Sequence, residues 1–173
     1  LSGVMYMGYT IKEFMEGWDY EAKATEKIFS ALTDESLGKR ITDDNWSLGE
    51  IAWHIVRSLP EMMGRTGLTI EMPGEYKSIS GKSSEILNRY RKVSAEFIEQ
   101  IEKKWTDASL EEEDDMYGEK WQRAKTLHVL IVHQTHHRGQ MTVLMRQAGL
   151  KVPGVYGPSK EEWVNYGMES PPV

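Results

Sequence analysis

Apolar residues return every three or four positions in four long stretches of the 173-residue chain, the pattern of helices with one buried face. The first stretch runs from about Thr10 to Leu32 and carries Phe14, Trp18, Ala22, Thr25, Phe29 and Leu32 on one stripe. Thr10 with Glu13 three residues on reads as a capping box. The second runs from about Leu48 to Met63, with Leu48, Ile51, Ile55, Leu59 and Met62 as its core stripe. Ser47 and Glu50 form another capping box. Pro60 lacks an N–H and is expected to bend or loosen the last turn. The third runs from about Ser83 to Trp105 and buries Ile86, Tyr90, Val93, Phe97 and Ile101. The fourth runs from about Gln122 to Ala148 and stops at Gly149, a C′ glycine.

The connections read differently. Gly64, Gly67, Pro73, Gly74 and Gly81 punctuate a polar link before the third helix. The segment "TDASLEEEDDMYGEKW" reads as an acidic, irregular loop. Its "EEEDD" run lacks the alternating ligands and the glycine of a calcium loop. The tail after Gly149 holds too much Gly and Pro for a long helix, and "SKEEW" predicts one short turn capped by Ser159 and Glu162. No strand alternation of useful length and no internal repeat is visible. The pattern predicts an all-α four-helix bundle as a single domain over 1–173, with the tail 150–173 packed on it. Residues 1–8 are read as a leader or mobile segment, with Met5 or Met7 as an internal start. With long links on both sides of the third helix, a simple up-down-up-down layout with tight turns is not assured.

Composition narrows the chemistry. The chain has no cysteine, so disulfides, thiolate ligands and a cysteine nucleophile are excluded. That fits a reducing cytoplasm, the expected location. A net charge of −6 argues against a nucleic-acid partner. No apolar run approaches the roughly 20 residues that span a bilayer. Ten methionines read as adaptable core filler, and six tryptophans as bulk for a wide bundle, with Trp53 or Trp121 at an interface.

The candidate chemistry lies in "LIVHQTHHRGQM". His133 and His137 stand four apart, on one helical face with Leu130, Met141 and Leu144. Two buried neutral imidazoles need hydrogen-bond partners or a metal, and both readings are open at this point. His54, in the second helix, is a packed core residue or a third ligand facing the pair. Three histidines would leave one side of a tetrahedral ion open, as catalytic sites do. His136 points about 100° away and suits a surface or supporting role, although His133 with His136 forms a rival pair. His128 reads as structural. Glu50 and Gln140 are the candidate catalytic residues: Glu50 as a base one turn from His54, or only as the Ser47 cap partner, and Gln140 as the group orienting a ligand ring. Arg138 is expected to pair with a surface carboxylate or grip the tail, and Arg57 or Arg138 to meet a substrate carboxylate.

"NWSLGEIAWHIV", followed far downstream by "LIVHQTHHRGQMTVLMRQAGLKVPGVYGP", resembles the DinB-like (damage-inducible B, YfiT-type) proteins, with their Trp-Ser helix start, single His and "HxxHHRGQ" stretch. The resemblance is strong over helices two and four and the tail, and rests on length and periodicity elsewhere. It implies a bundle with an up-down-down-up connection, a homodimer, and a divalent metal, zinc or nickel, on His54, His133 and His137. It further implies an enzyme acting on a small-molecule substrate, either a hydrolase or a transferase using a low-molecular-weight thiol. An ion at such a site acidifies water to a pKa of about 7, or holds a thiol as thiolate, so the ligands alone do not choose. A metal- or small-ligand-binding bundle without turnover and a purely structural dimeric bundle are the competing readings.

Overall fold

The computed structural model describes residues 10–78 and 81–172, and the segment 1–8, read as a leader or mobile segment, lies outside them. Four helices form where the stripes predict them: α1 Ile11–Ser30, α2 Leu48–Gly64, α3 Ser83–Lys104 and α4 Arg123–Gln147. The caps are physical. Thr10 and Glu13 close a reciprocal capping box on α1, and Ser47 and Glu50 do the same on α2. Gly149 takes a φ of 76° just beyond α4, the left-handed conformation that suits a glycine at C′. α2 runs through Pro60, which is buried, and ends only at Gly64, so the proline does not stop the helix.

Helices α1 and α2 each pack on both α3 and α4. Phe14 meets Phe97 at 6.0 Å between ring centroids, Trp18 donates to Ser94 Oγ at 3.0 Å, and Phe29 meets Tyr90 at 5.4 Å. Rising numbers on α1 thus meet falling numbers on α3. The pair is antiparallel, which excludes a simple up-down-up-down alternation. The stripes meet in one apolar core, in which Trp18, Phe29, Tyr90, Phe97, Ile55 and Leu59 are fully buried.

The acidic segment departs from expectation. It holds a hairpin, β1 Glu113–Met116 against β2 Glu119–Gln122, with Met116 opposite Glu119. Tyr117 and Gly118 form its two-residue turn with φ of 60° and 86°, the type I′ pattern that matches strand twist. The strands are four residues long and mostly solvated, so they carry no apolar alternation. Tertiary contacts hold them instead. Arg123 pairs with Asp114 at 2.8 Å and Glu112 at 2.6 Å, and lies 5.0 Å from the Trp105 ring centroid.

The tail packs on the bundle. Lys27 donates to Gly154 O at 2.8 Å, Tyr20 to Val155 O at 2.5 Å, and Arg146 pairs with Glu161 at 2.6 Å. Glu162 does reach back to Ser159 N, at 3.0 Å, but the Ser159 hydroxyl has no partner, and the helical turn sits later, as a 3-10 turn at Trp163–Tyr166. Arg138 is another correction. It is not at the surface but only 3% exposed, inside the bundle. It donates to Glu21 O at 2.8 Å and Thr25 Oγ1 at 3.0 Å, and also binds the Glu21 carboxylate and the Tyr156 hydroxyl. It therefore grips the tail, through Tyr156, as one of its expected roles. Among the described residues no helix is long and apolar enough to cross a membrane.

Candidate metal centre

The seam between α2 and α4 brings the three histidines together. His54 Nε2 lies 3.1 Å from His133 Nε2, which lies 3.1 Å from His137 Nε2. One ligand atom from each falls within 4.8 Å of the other two. A tetrahedral ion with bonds of about 2.0–2.1 Å separates its ligand atoms by roughly 3.3 Å. The i,i+4 spacing on α4 supplies two of these nitrogens, and packing of α2 supplies the third. His136 is exposed and stays outside the cluster, its ring 5.0 Å from that of His137.

The proton inventory tests whether these nitrogens suit a cation. His137 Nδ1 lies 2.8 Å from Gln140 Oε1, an acceptor, so Nδ1 carries the proton and Nε2 presents a lone pair. His133 Nε2 touches two ring nitrogens and can donate at most one proton. Hydrogen bonding between the rings therefore cannot satisfy both 3.1 Å contacts. A cation shared by three lone pairs satisfies all of them. Electrostatics agree, since all three rings are held neutral. Burial, then neighbouring His137 and His54, pushes His133 down to about 4. Burial, then His137, lowers His54. Burial lowers His137 against the opposing effect of its Gln140 hydrogen bond. Residues and chemistry fit a divalent ion.

Gln140 thus occupies the orienting position that its spacing suggests. Glu50 lines the adjoining cavity, but its Oε2 accepts from Ser47 N at 2.7 Å and from Arg40 at 3.3 Å. The Ser47 hydrogen bond is the main cause that lowers its pKa. The cap role is the one the geometry displays.

A model of the DinB family matches residues 7–169. The chain belongs to the DinB family. It is 45% identical to YrdA of Bacillus subtilis (strain 168) over 165 residues, covering 95% of this chain and 99% of YrdA. Among solved structures, a DinB-like protein from Bacillus cereus ATCC 10987 shares 45% identity with a TM-score of 0.82, covering 87% of this chain and 100% of that one. YfiT from Bacillus subtilis, described as a probable metal-dependent hydrolase with an unusual four-helix bundle topology, shares the fold at 15% identity and a TM-score of 0.59, over 80% of this chain and 89% of YfiT.

In this DinB-family chain a cavity of about 690 Å³ opens beside the histidines. His54 and His133 form part of its wall. Trp46 covers the cluster, its ring 5.0 Å from His54 and 6.4 Å from His137. Trp53, read from sequence as an interface residue, lies inside and lines the cavity, donating to Gly74 O at 2.9 Å. Tyr76 lies against Gly49, where an added Cβ would stand 2.0 Å from its hydroxyl. Arg57 also lines the cavity, paired with Glu75 at 2.9 Å. Sequence reasoning missed Glu61 and Tyr117, which form another part of the wall. Glu61 carries a signal, since it sits seven residues after His54 and so on the same helical face. Tyr117 carries none without the hairpin.

Proposed function

We propose that this protein is a metal-dependent hydrolase acting on a small organic substrate held in the cavity beside the three histidines. The observation that supports it most is the convergence of three imidazole nitrogens at 3.1 Å spacings next to that space. His54, His133 and His137 would hold a divalent ion, zinc or nickel. When bound, such an ion supplies Lewis acidity, polarising an oxygen and acidifying water or a thiol. The chain's own residues do the rest. Gln140 holds the proton on His137 Nδ1 so that its other nitrogen faces the site. Trp46, Trp53, Met62, Met72 and Val129 give the cavity apolar walls that exclude bulk water from a bound substrate.

Transfer to a low-molecular-weight thiol uses the same three nitrogens and is the second reading; the description of YfiT as a probable metal-dependent hydrolase favours the first. The test is metal content after purification without affinity resin, then a panel of ester, amide and thiol-plus-electrophile substrates with loaded and stripped protein. About one ion per chain, lost in His133→Ala, with metal-dependent cleavage of an ester or amide, is the expected result. Turnover only when thiol is present selects transfer. Metal binding without any turnover leaves a binding module, and absence of metal leaves packed core histidines.

A further inference from the structure

Tyr117 is the one non-glycine residue with positive φ among the described residues, at 60°. Its place in the type I′ turn favours Asn, Asp or Gly, and a bulky aromatic side chain there is an outlier. An outlier of this kind calls for a reason outside the turn. The phenol supplies one. Its hydroxyl donates to Glu61 Oε2 at 2.6 Å, and both side chains line the cavity that contains His54 and His133. Arg65 completes the arrangement. It donates to Glu61 Oε1 at 2.9 Å and lies 4.4 Å from the Tyr117 ring centroid.

This arrangement sets the chemistry offered to a ligand. The phenol proton is committed to Glu61, and Arg65 approaches the same oxygen, which leaves one of its two lone pairs as an acceptor for a ligand. Glu61 is paired with Arg65 at 2.9 Å, and its carboxylate oxygens serve as acceptors. Burial, then the hydrogen bond to Glu61, raises the phenol to about 12, so it keeps its proton at neutral pH. Glu61 stands seven residues beyond His54, about 10 Å along the helix. The cavity thus has two chemically different ends, imidazoles at one and the Tyr117–Glu61 pair at the other, with apolar residues and the Arg57–Glu75 pair also lining it. Arg65 offsets the Glu61 charge, so a second carboxylate brought to this end would meet a phenol oxygen and a carboxylate that is already paired. We propose that Tyr117 is a specificity-determining residue, whose phenol oxygen, with Glu61, accepts hydrogen bonds from a hydroxyl or amino group on the end of the ligand remote from the histidines. This rests on reading the cavity as the substrate site.

The test is a titration of the whole protein with phenethyl alcohol, phenethylamine, ethylbenzene and phenylacetate, followed by fluorescence of the cavity tryptophans. The alcohol and amine bind about tenfold tighter than ethylbenzene, the effect of one satisfied hydrogen bond, and phenylacetate binds weakest. Tyr117→Phe, which keeps the ring against Arg65, removes that advantage and leaves ethylbenzene unchanged. Tyr117→Asn, which suits the turn, removes it too without lowering the melting temperature. Equal binding of alcohol and hydrocarbon by the native protein, tightest binding of phenylacetate, or an unchanged ranking in Tyr117→Phe overturns the proposal and leaves Tyr117 as a clasp for the hairpin. The ranking is read on metal-stripped protein, because a bound ion would ligate the amine or the carboxylate itself, and zinc stoichiometry is measured separately on loaded protein. A Tyr117-dependent ranking without metal binding removes the enzyme reading alone; one ion per chain without that ranking removes this proposal alone.

Discussion

His133 is the nitrogen common to both short contacts, so removing it makes the sharpest test of the centre. In His133→Ala, His54 and His137 lose the ring that lies 3.1 Å from each. If the three histidines share an ion, a native protein that binds it only when folded gains RT ln(1 + [L]/Kd). That is about 2.7 kcal/mol when free zinc stands at 100 times Kd. A domain of this size shifts by about 2–4 °C per kcal/mol, so zinc raises Tm by about 5–11 °C. The assay is a pair of thermal melts, stripped and zinc-loaded, for the native protein and for His133→Ala at the same free zinc. The variant, with two of three ligands, shows most of that shift lost. A native Tm indifferent to zinc, or a shift equally large in the variant, refutes a shared ion on these three residues.

Other expectations follow from the same geometry. In metal-free protein His133 titrates near 4 when folded and near the ordinary histidine value of 6.5 when unfolded. The unfolded chain therefore binds more protons between those values, and urea midpoints fall as pH drops from about 6.5 toward 4; a flat midpoint across that window contradicts a desolvated neutral ring. Gln140→Leu removes the acceptor on His137 Nδ1 and weakens zinc affinity by about 10–100-fold in a competitive chelator titration, whereas unchanged affinity would show that packing alone orients the ring. Arg138→Ala leaves the Glu21 carboxylate inside the bundle without its guanidinium and costs about 3–5 kcal/mol by urea denaturation. A loss under about 1 kcal/mol would place that pair in the weak class of surface ion pairs instead.

Much of the architecture is readable from neighbouring residues alone. Phe14, Trp18 and Phe29 on α1, or Leu48, Ile55 and Leu59 on α2, announce a helix and its inner face, because a 3.6-residue turn makes burial periodic. Thr10 with Glu13 and Ser47 with Glu50 announce where two helices begin, because a cap satisfies backbone donors within four residues. His133 and His137 share a face for the same local reason. The hairpin was not readable this way. Its strands are short and acidic, and the Tyr117 backbone conformation emerges only with strand pairing.

Sequence by itself determined the four helices, their buried stripes, the paired imidazoles of α4 and the absence of cysteine side chains. Each is a property of residues a few positions apart, or of composition. Tertiary structure decided that His54 meets that pair, that Arg138 is enclosed with Glu21 rather than exposed, and that Glu61 and Tyr117 share a cavity wall across 56 positions of chain. Those meetings depend on which helix faces pack together, and spacing along a chain carries no record of the distance across a bundle.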